Sequence, residues 1–118
     1  MKLVPLLSVG IALTCAHTMI EKEYIQLLED IKTEKFDNID LMHHYTAGMK
    51  SVFTDIANKG LYVIRQSIGG AGYSAWSGIP YIIDEFTPST TFEGDNTVMA
   101  QQSVKNLVKK VQRVEKEE

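Results

Sequence analysis

Apolar residues recur at helical spacing along most of the chain. In residues 4–32, apolar positions follow one another at steps of three and four residues, as at Ile20, Tyr24, Leu27, Leu28 and Ile31. The same periodicity predicts three further helices, which cover residues 39–68, residues 79–86 and the stretch that begins near Asn96. No segment shows a strong strand pattern. We predict an all-α fold, an antiparallel helical bundle of two long helices, one short helix and one terminal helix.

Several residues refine this prediction locally. Asp37 or Asn38 can serve as the N-cap of the second helix. Gly48 and Gly60 fall inside that helix, where glycine is unfavourable by up to ~1 kcal/mol relative to alanine. Close packing of a neighbouring helix would explain both glycines.

Composition and charge limit the kinds of protein and partner that this chain can represent. The 118 residues are 44% hydrophobic and 23% charged, as in an ordinary globular domain, and we expect residues 1–118 to form a single domain. The formal net charge of −3 gives no electrostatic case for a nucleic-acid partner. Cys15 is the only cysteine, which excludes an intrachain disulfide and fits a reducing, cytosol-like compartment. We expect Cys15 to be buried and structural, because no histidine or carboxylate stands beside it.

The apolar N-terminal run resembles a secretory signal only superficially. Pro5 comes early, and no small-x-small cleavage site follows the run around Cys15. The run is also shorter than the ~20 apolar residues that a membrane-spanning helix needs. We therefore predict neither a signal peptide nor a membrane span. The chain ends Glu-Lys-Glu-Glu, without a Ser-Lys-Leu peroxisomal signal.

Two glycine-rich turns carry the strongest chemical signal. Gly69, Gly70 and Gly72 follow the second helix, and their bare backbone lets a bulky ligand approach closely. Gly94 does the same beside Glu93, a carboxylate placed just before the last helix. Taken alone, the first turn is also a helix C-cap, and Glu93 is also a first-turn charge.

Other candidate sites fail on spacing or context. His17, His43 and His44 lack metal-ligand spacing, so we predict no metal site. Ser74 does not complete a Gly-x-Ser-x-Gly nucleophile elbow. Residues 70–75 fit a loose dinucleotide-binding pattern, but they follow a helix, whereas that pattern must follow a strand.

Five motifs together resemble a known family. They are His-Tyr-Thr-Ala-Gly-Met-Lys-Ser at 44–51, Gly-Gly-Ala-Gly-Tyr-Ser at 69–74, Ser-Gly-Ile-Pro at 77–80, Thr-Pro at 87–88 and Thr-Phe-Glu-Gly-Asp-Asn-Thr-Val at 91–98. In this order they resemble the C-terminal helical domain of the acyl-CoA oxidase and acyl-CoA dehydrogenase flavoproteins, and they are closer to the oxidases. The resemblance covers nearly the whole chain and implies the fold of that domain.

The resemblance implies roles for the two turns. Glu93 would be the general base that removes the pro-R α-proton of an acyl-CoA while the β-hydrogen leaves as hydride to the flavin of FAD. The products would be a trans-2-enoyl-CoA and, after oxygen takes the electrons, hydrogen peroxide. Residues implied to contact the ADP part of an FAD held largely by a neighbouring subunit are Gln66, Gly69, Gly70 and Gly72. Those implied to lie where the turn contacts the flavin are Gly94, Asp95, Asn96 and Thr97.

Some residues with an implied cofactor or substrate role could equally well, or more readily, have a purely structural role. Asp95 or Asn96 serves equally well as the N-cap of the last helix. Tyr73 and Trp76 could line an acyl or adenine pocket, but we expect them in the core. Burial would raise the pKa and basicity of Glu93, whereas the adjacent helix N-terminus stabilises its anion.

We therefore predict the C-terminal helical portion of an FAD-dependent acyl-CoA oxidase of fatty-acid β-oxidation, peroxisomal by resemblance. The family's N-terminal helical domain and middle β-domain have no counterpart here, so we expect the chain to be inactive alone and to be a fragment of a larger oxidase. Its exposed apolar stripes predict a homodimer or association with the rest of an oxidase. One alternative is a non-catalytic helical interaction subunit derived from the family. Another is a complete small enzyme that acts as an oligomer.

Overall fold

The computed structural model describes residues 2–117, and helices dominate this part of the chain. The α-helices are α1 (Leu3–Lys32), α2 (Ile39–Ser67), α3 (Ile79–Phe86) and α4 (Asn96–Glu117). Two short 3-10 helices, Gly69–Gly72 and Ala75–Ser77, lie between α2 and α3, and a third, Thr87–Thr90, lies between α3 and α4. Residues 2–117 contain no strand, so the predicted all-α class is confirmed. The predicted bounds of the first three helices, and the predicted start of the fourth, differ from the observed ones by one residue at most.

Helix α2 is the element against which the other three α-helices pack. A Cβ atom added at Gly60 would lie 3.3 Å from the Leu6 side chain of α1. One added at Gly48 would lie 3.0 Å from Ser103 Oγ of α4. Both glycines therefore mark close helix contacts, as predicted.

The packing on α2 is antiparallel on both sides. Leu6, near the start of α1, meets Gly60 near the end of α2. On the other side, Ser51 Oγ donates to the Asn96 carbonyl at the start of α4, and Asn106 Nδ2 donates to the carbonyl of Asp40, near the start of α2. The predicted antiparallel bundle is thus present.

The turn between α1 and α2 is closed by a residue with positive φ. Glu34 has φ 61°. Its N–H donates to the Ile31 carbonyl (3.0 Å), and the Lys35 N–H donates to the Asp30 carbonyl (2.9 Å). This is a Schellman motif, with glutamate where glycine is usual. Asn38 precedes α2, but its side chain makes no capping hydrogen bond.

The core of the described chain is thin. Its buried apolar residues are Leu27, Met42, Ala47 and Ile83. The Cα radius of gyration is 18.3 Å, whereas a compact domain of this length would have about 13 Å. The predicted stripe of α4 is exposed and consists of Val104, Leu107, Val108, Val111 and Val114. The helices therefore leave apolar faces without a covering element among residues 2–117.

The N-terminal half of α1 departs from two expectations. Cys15 is exposed rather than buried, because it lies on a part of the α1 surface that no described element covers. Helix α1 also contains an 18-residue window of mean hydropathy 1.8, long and apolar enough to cross a membrane by length and composition. Our argument that this run is too short was therefore wrong. A signal sequence or a core helix meets the same criteria, so the window alone assigns no membrane role.

Candidate functional site

The turn that carries Glu93 has an unusual backbone. Glu93 has φ 58°, and the next residue, Gly94, has φ 104°. A left-handed conformation at a non-glycine residue costs of order 1–3 kcal/mol and is found preferentially at functional sites. A Cβ at Gly94 would also lie 2.8 Å from Met99 Sδ, a contact that the flexible methionine side chain can relieve, so it is the positive φ that favours glycine there.

The Glu93 side chain faces solvent. It is exposed, and no donor within residues 2–117 bonds to its carboxylate. Its neighbour Phe92 is also exposed, at 53%. The apolar slot that would raise the basicity of Glu93 is therefore not formed by the described chain, and a further protein surface would have to supply it.

Asn96 fastens this turn to α2. Its Oδ1 accepts from Lys50 Nζ at 2.8 Å. Its Nδ2 donates to the Ser51 carbonyl at 3.1 Å and to Thr54 Oγ1 at 2.8 Å. Lys50 Nζ also donates to the carbonyl of Gly94, beside Glu93. The amide of Asn96 is thus the hub of a polar network that fixes the start of α4 and the Glu93 turn.

Removing the Asn96 amide should loosen this attachment. We expect Asn96→Ala to lower the free energy of unfolding by about 1–3 kcal/mol, because partly buried polar groups on α2 lose their partners. Urea unfolding followed by circular dichroism measures this change. Asn106→Ala is the matched control, since Asn106 makes one exposed bond of 3.4 Å to the Asp40 carbonyl. Equal losses in the two variants would contradict the special role of Asn96.

Asp95 is the N-cap of α4. Its Oδ1 accepts from the Thr97 N–H at 2.8 Å. This resolves the alternative left open by the sequence: Asp95 caps the helix, whereas Asn96 bonds to α2. Hydrogen bonds from Thr97, first of all from its backbone N–H, lower the pKa of Asp95 below its ordinary value of 3.8.

The lowered pKa of Asp95 predicts a small acid-dependent loss of stability. The ionised cap stabilises the fold above pH 3.8, and this contribution is lost as the pH falls through the folded-state pKa. Melting temperatures at pH 6 and below pH 3 should therefore differ less in Asp95→Asn, which keeps the acceptor oxygen but not the charge. Asp84→Asn, on α3, is the control. If Asp95→Asn shows the full acid loss of the wild type, the cap is not its source.

The glycine-rich turn after α2 has a different construction. Gly69 has φ 58° and ends α2, as predicted. Neither Gly69 nor Gly70 has any atom within 4 Å of an added Cβ, so their backbone is open to a ligand. Gly72 is buried, and a Cβ there would collide with the backbone of Arg65, 2.9 Å from its carbonyl carbon. Gln66 lies exposed on the last turn of α2.

The two turns do not form one site in this chain. Thr54 and Lys50 mark the level of the Glu93 turn on α2, whereas Gln66 marks the level of the glycine-rich turn. Twelve to sixteen residues of helix separate them, which corresponds to about 20 Å. The structure therefore brings Gly94, Asp95, Asn96 and Thr97 together with Glu93, but not Gln66, Gly69, Gly70 or Gly72.

Two aromatic residues are not in the core, contrary to our expectation. Tyr73 is 86% exposed and Trp76 is 98% exposed. Both lie in the connection between α2 and α3, where Ser74 Oγ caps the short Ala75–Ser77 helix. These two rings are available to cover or contact another molecule.

Sequence reasoning missed the α2 residues that hold the Glu93 turn. Lys50, Ser51 and Thr54 interrupt the apolar pattern of α2 at positions i, i+1 and i+4, so they share a face of the helix. That polar interruption was the available signal. Their partner Asn96 lies more than 40 positions further along the chain, so no local pattern could identify it.

Comparison with known proteins gives a consistent result. The family described as "Acyl-CoA oxidase, C-alpha1 domain" matches residues 1–108. "Peroxisomal acyl-coenzyme A oxidase 1" of Mus musculus is 41% identical over 108 residues, which cover 92% of this chain and 16% of that protein. The Homo sapiens protein of the same name is 38% identical over 113 residues, covering 96% of this chain and 17% of that protein.

A solved structure has the same fold. "Arabidopsis thaliana acyl-CoA oxidase 1" superimposes with a TM-score of 0.91 at 30% identity, covering 99% of this chain and 18% of that one. The chain thus spans about a sixth of the length of the curated relatives it matches. With the helical fold and the motif order described above, these matches place the chain in the acyl-CoA oxidase C-alpha1 domain family.

Proposed function

We propose that this chain is the C-terminal helical portion of an FAD-dependent acyl-CoA oxidase, in which Glu93 is the general base. The observation that carries the proposal is the Glu93 turn itself. An exposed carboxylate stands at φ 58°, beside a glycine at φ 104°, and Asn96 fixes the turn to α2. Glu34 has a similar φ in an ordinary helix-ending turn, so it is the attachment of the Glu93 turn to α2, rather than its φ, that supports a catalytic carboxylate.

In this proposal Glu93 takes the α-proton of an acyl-CoA thioester. FAD, when bound, would supply the acceptor for the β-hydrogen as hydride and the electrons that reduce O2 to hydrogen peroxide. Closure of the site by the rest of the oxidase would exclude water from Glu93 and raise its basicity. Gly94, Asp95, Asn96 and Thr97 would keep the carboxylate at the flavin.

The glycine-rich turn fits a dinucleotide diphosphate. Gly69 and Gly70 offer open backbone, and the exposed Gln66 amide can donate to a phosphate oxygen. The separation of about 20 Å along α2 is compatible with contacts to the ADP part of an FAD rather than to its flavin ring. It is also compatible with an FAD held mainly by a second subunit.

The other parts of the proposal follow from the relatives. We propose that residues 1–118 are a fragment of a longer oxidase and that the protein works in the peroxisome, as the names of the curated relatives indicate for them. The bare apolar faces of α1 and α4 support association with the remainder of an oxidase or with a second copy.

A flavin titration with a peroxide assay tests the proposal. The purified 118-residue chain should neither bind flavin stoichiometrically nor form peroxide from an acyl-CoA, because a base without a hydride acceptor does no oxidation. A chimera that carries residues 1–108 in place of the matching segment of the mouse relative should be yellow and active. A folded, flavin-loaded chimera without activity would reject the catalytic role.

The non-catalytic alternative rests on the same exposed apolar surface of α1. Many large apolar side chains are exposed along α1, including Leu3, Leu7 and Ile11, as an interaction subunit would require. An inactive chimera, together with capture of a distinct partner by the 118-residue chain, would favour this alternative.

A further inference from the structure

A hydrogen bond from Lys50 joins the backbone beside Glu93 to α2. Lys50 Nζ donates to the carbonyl of Gly94 and, at 2.8 Å, to Asn96 Oδ1. Within residues 2–117, no backbone N–H donates to the Gly94 carbonyl, and the other hydrogen bonds between α2 and this region go to Asn96. In the described part of the chain, Lys50 is therefore the residue that fastens the turn of residues 91–95 itself to α2.

The position of Gly94 explains why this bond matters for Glu93. Asn96 fixes the first residue of α4, but Gly94 and Asp95 lie between it and Glu93. Gly94 has φ 104°, and a glycine backbone rotates more freely than that of any other residue. Without the bond from Lys50, rotation at Gly94 would change the direction of the Glu93 side chain while α4 stayed in place.

The Lys50 side chain is suited to holding this carbonyl. It is half-buried, and two of the three donors of its ammonium group are engaged. A charged donor forms hydrogen bonds about twice as strong as those of a neutral donor. The salt bridge found among residues 2–117 joins Lys59 to Asp55, so the Lys50 ammonium is not drawn away from the turn by a carboxylate of the described chain.

We propose that Lys50 is a positioning residue for the Glu93 general base, because its grip on the Gly94 carbonyl keeps the Glu93 carboxylate at one orientation relative to α2. In this role Lys50 acts through the backbone of the turn and is not itself a catalytic group. The inference rests on the proposed function, in which Glu93 takes the α-proton. Misplacing a reacting group by about 1 Å can slow a reaction about 100-fold, so loss of this bond should be measurable.

Kinetics of the chimera with the mouse relative test this role. Lys50→Met keeps the approximate length of the side chain but removes its donors. It should lower kcat for peroxide formation about 10- to 100-fold, while flavin content and KM for the acyl-CoA stay within about twofold. The kinetic isotope effect with an α-deuterated acyl-CoA should rise, because proton removal becomes the slow step. Lys50→Arg restores the charge and the donors and should recover most of the loss.

A double variant and a dynamics measurement separate positioning from general structural damage. If Lys50 acts through Glu93, Lys50→Met should lower the residual activity of Glu93→Gln by less than about twofold. In the 118-residue chain, NMR order parameters of Glu93 and Gly94 should fall from about 0.85 to below about 0.6 in Lys50→Met. Lys59→Met removes an exposed cation paired with Asp55 and is the control, which should change neither activity nor order parameters.

The outcomes distinguish this inference from the proposed function. Wild-type activity in Lys50→Met, the same fold loss in the Glu93→Gln background, or unchanged order parameters would overturn the positioning role and leave the oxidase proposal standing. An inactive unsubstituted chimera, or full activity in Glu93→Gln, would reject the general base and the positioning role with it.

Discussion

Glu93→Gln in the chimera with the mouse relative should lower acyl-CoA-dependent peroxide formation by about 10²- to 10⁴-fold, the usual contribution of a general base. Glutamine keeps the size and polarity of the side chain but cannot accept the α-proton. Flavin content, read from the absorbance spectrum, should stay the same, because the substitution leaves the glycine-rich turn untouched. The assay therefore separates loss of chemistry from loss of cofactor.

The chain provides a closely matched control for this substitution. Glu34 is also an exposed glutamate at positive φ, 61° against 58° for Glu93, but it lies in the turn between α1 and α2. Glu34→Gln should leave peroxide formation within about twofold of the wild type, since Glu34 is not the proposed base. Both variants place glutamine at a positive φ, so any effect of the backbone conformation is the same in both. If Glu93→Gln kept wild-type activity, the general-base assignment would be wrong.

Gly72→Ala should strongly lower the stability of the chain. An added methyl group would collide with the Arg65 backbone, whose carbonyl carbon would be 2.9 Å away. That carbonyl is part of helix α2, so it cannot move aside without breaking helical structure. We expect a loss of about 1–3 kcal/mol or more in the free energy of unfolding, as for overpacked cores. Urea denaturation of the 118-residue chain measures it.

Gly70→Ala is the corresponding control two residues earlier. Gly70 lies in the same 3-10 helix, has no positive φ, and has no atom within 4 Å of an added Cβ. We expect it to be neutral or stabilising by up to about 1 kcal/mol, since alanine restricts the unfolded chain more than glycine does. Similar losses in both variants would show that the turn needs flexibility rather than space at Gly72.

The helices were predictable because their determinants are local. The apolar spacing of residues 39–68 and the glycines that follow define α2 without reference to the rest of the fold. Exposure was not predictable in the same way. Whether Cys15 or Trp76 is buried depends on which helix faces receive a neighbour, and that is decided by elements far away in the sequence.

The same distinction, between features set by neighbouring residues and features set by distant ones, applies to the candidate site. The Asp95 cap could be foreseen as one of two options, because an N-cap is a matter of two or three neighbouring residues. The bonds between Asn96 and Thr54 join positions more than 40 residues apart, and the burial of Gly72 against the Arg65 backbone depends on how the chain folds back after α2. These features required coordinates.

The Glu93 turn and the glycine-rich turn are both attached to α2, so the length of α2 between them determines their relative orientation as well as their separation. Each residue of an α-helix turns the chain by about 100° while it advances by about 1.5 Å. Deleting one residue from α2 between Thr54 and Arg65 would hardly shorten the gap between the two turns. It would, however, swing one turn by more than a quarter of a revolution about the helix axis relative to the other. The number of residues in this segment therefore fixes the rotation of the Glu93 carboxylate about the helix axis relative to the glycine-rich turn. Insertions or deletions in this segment should be far less tolerated than substitutions.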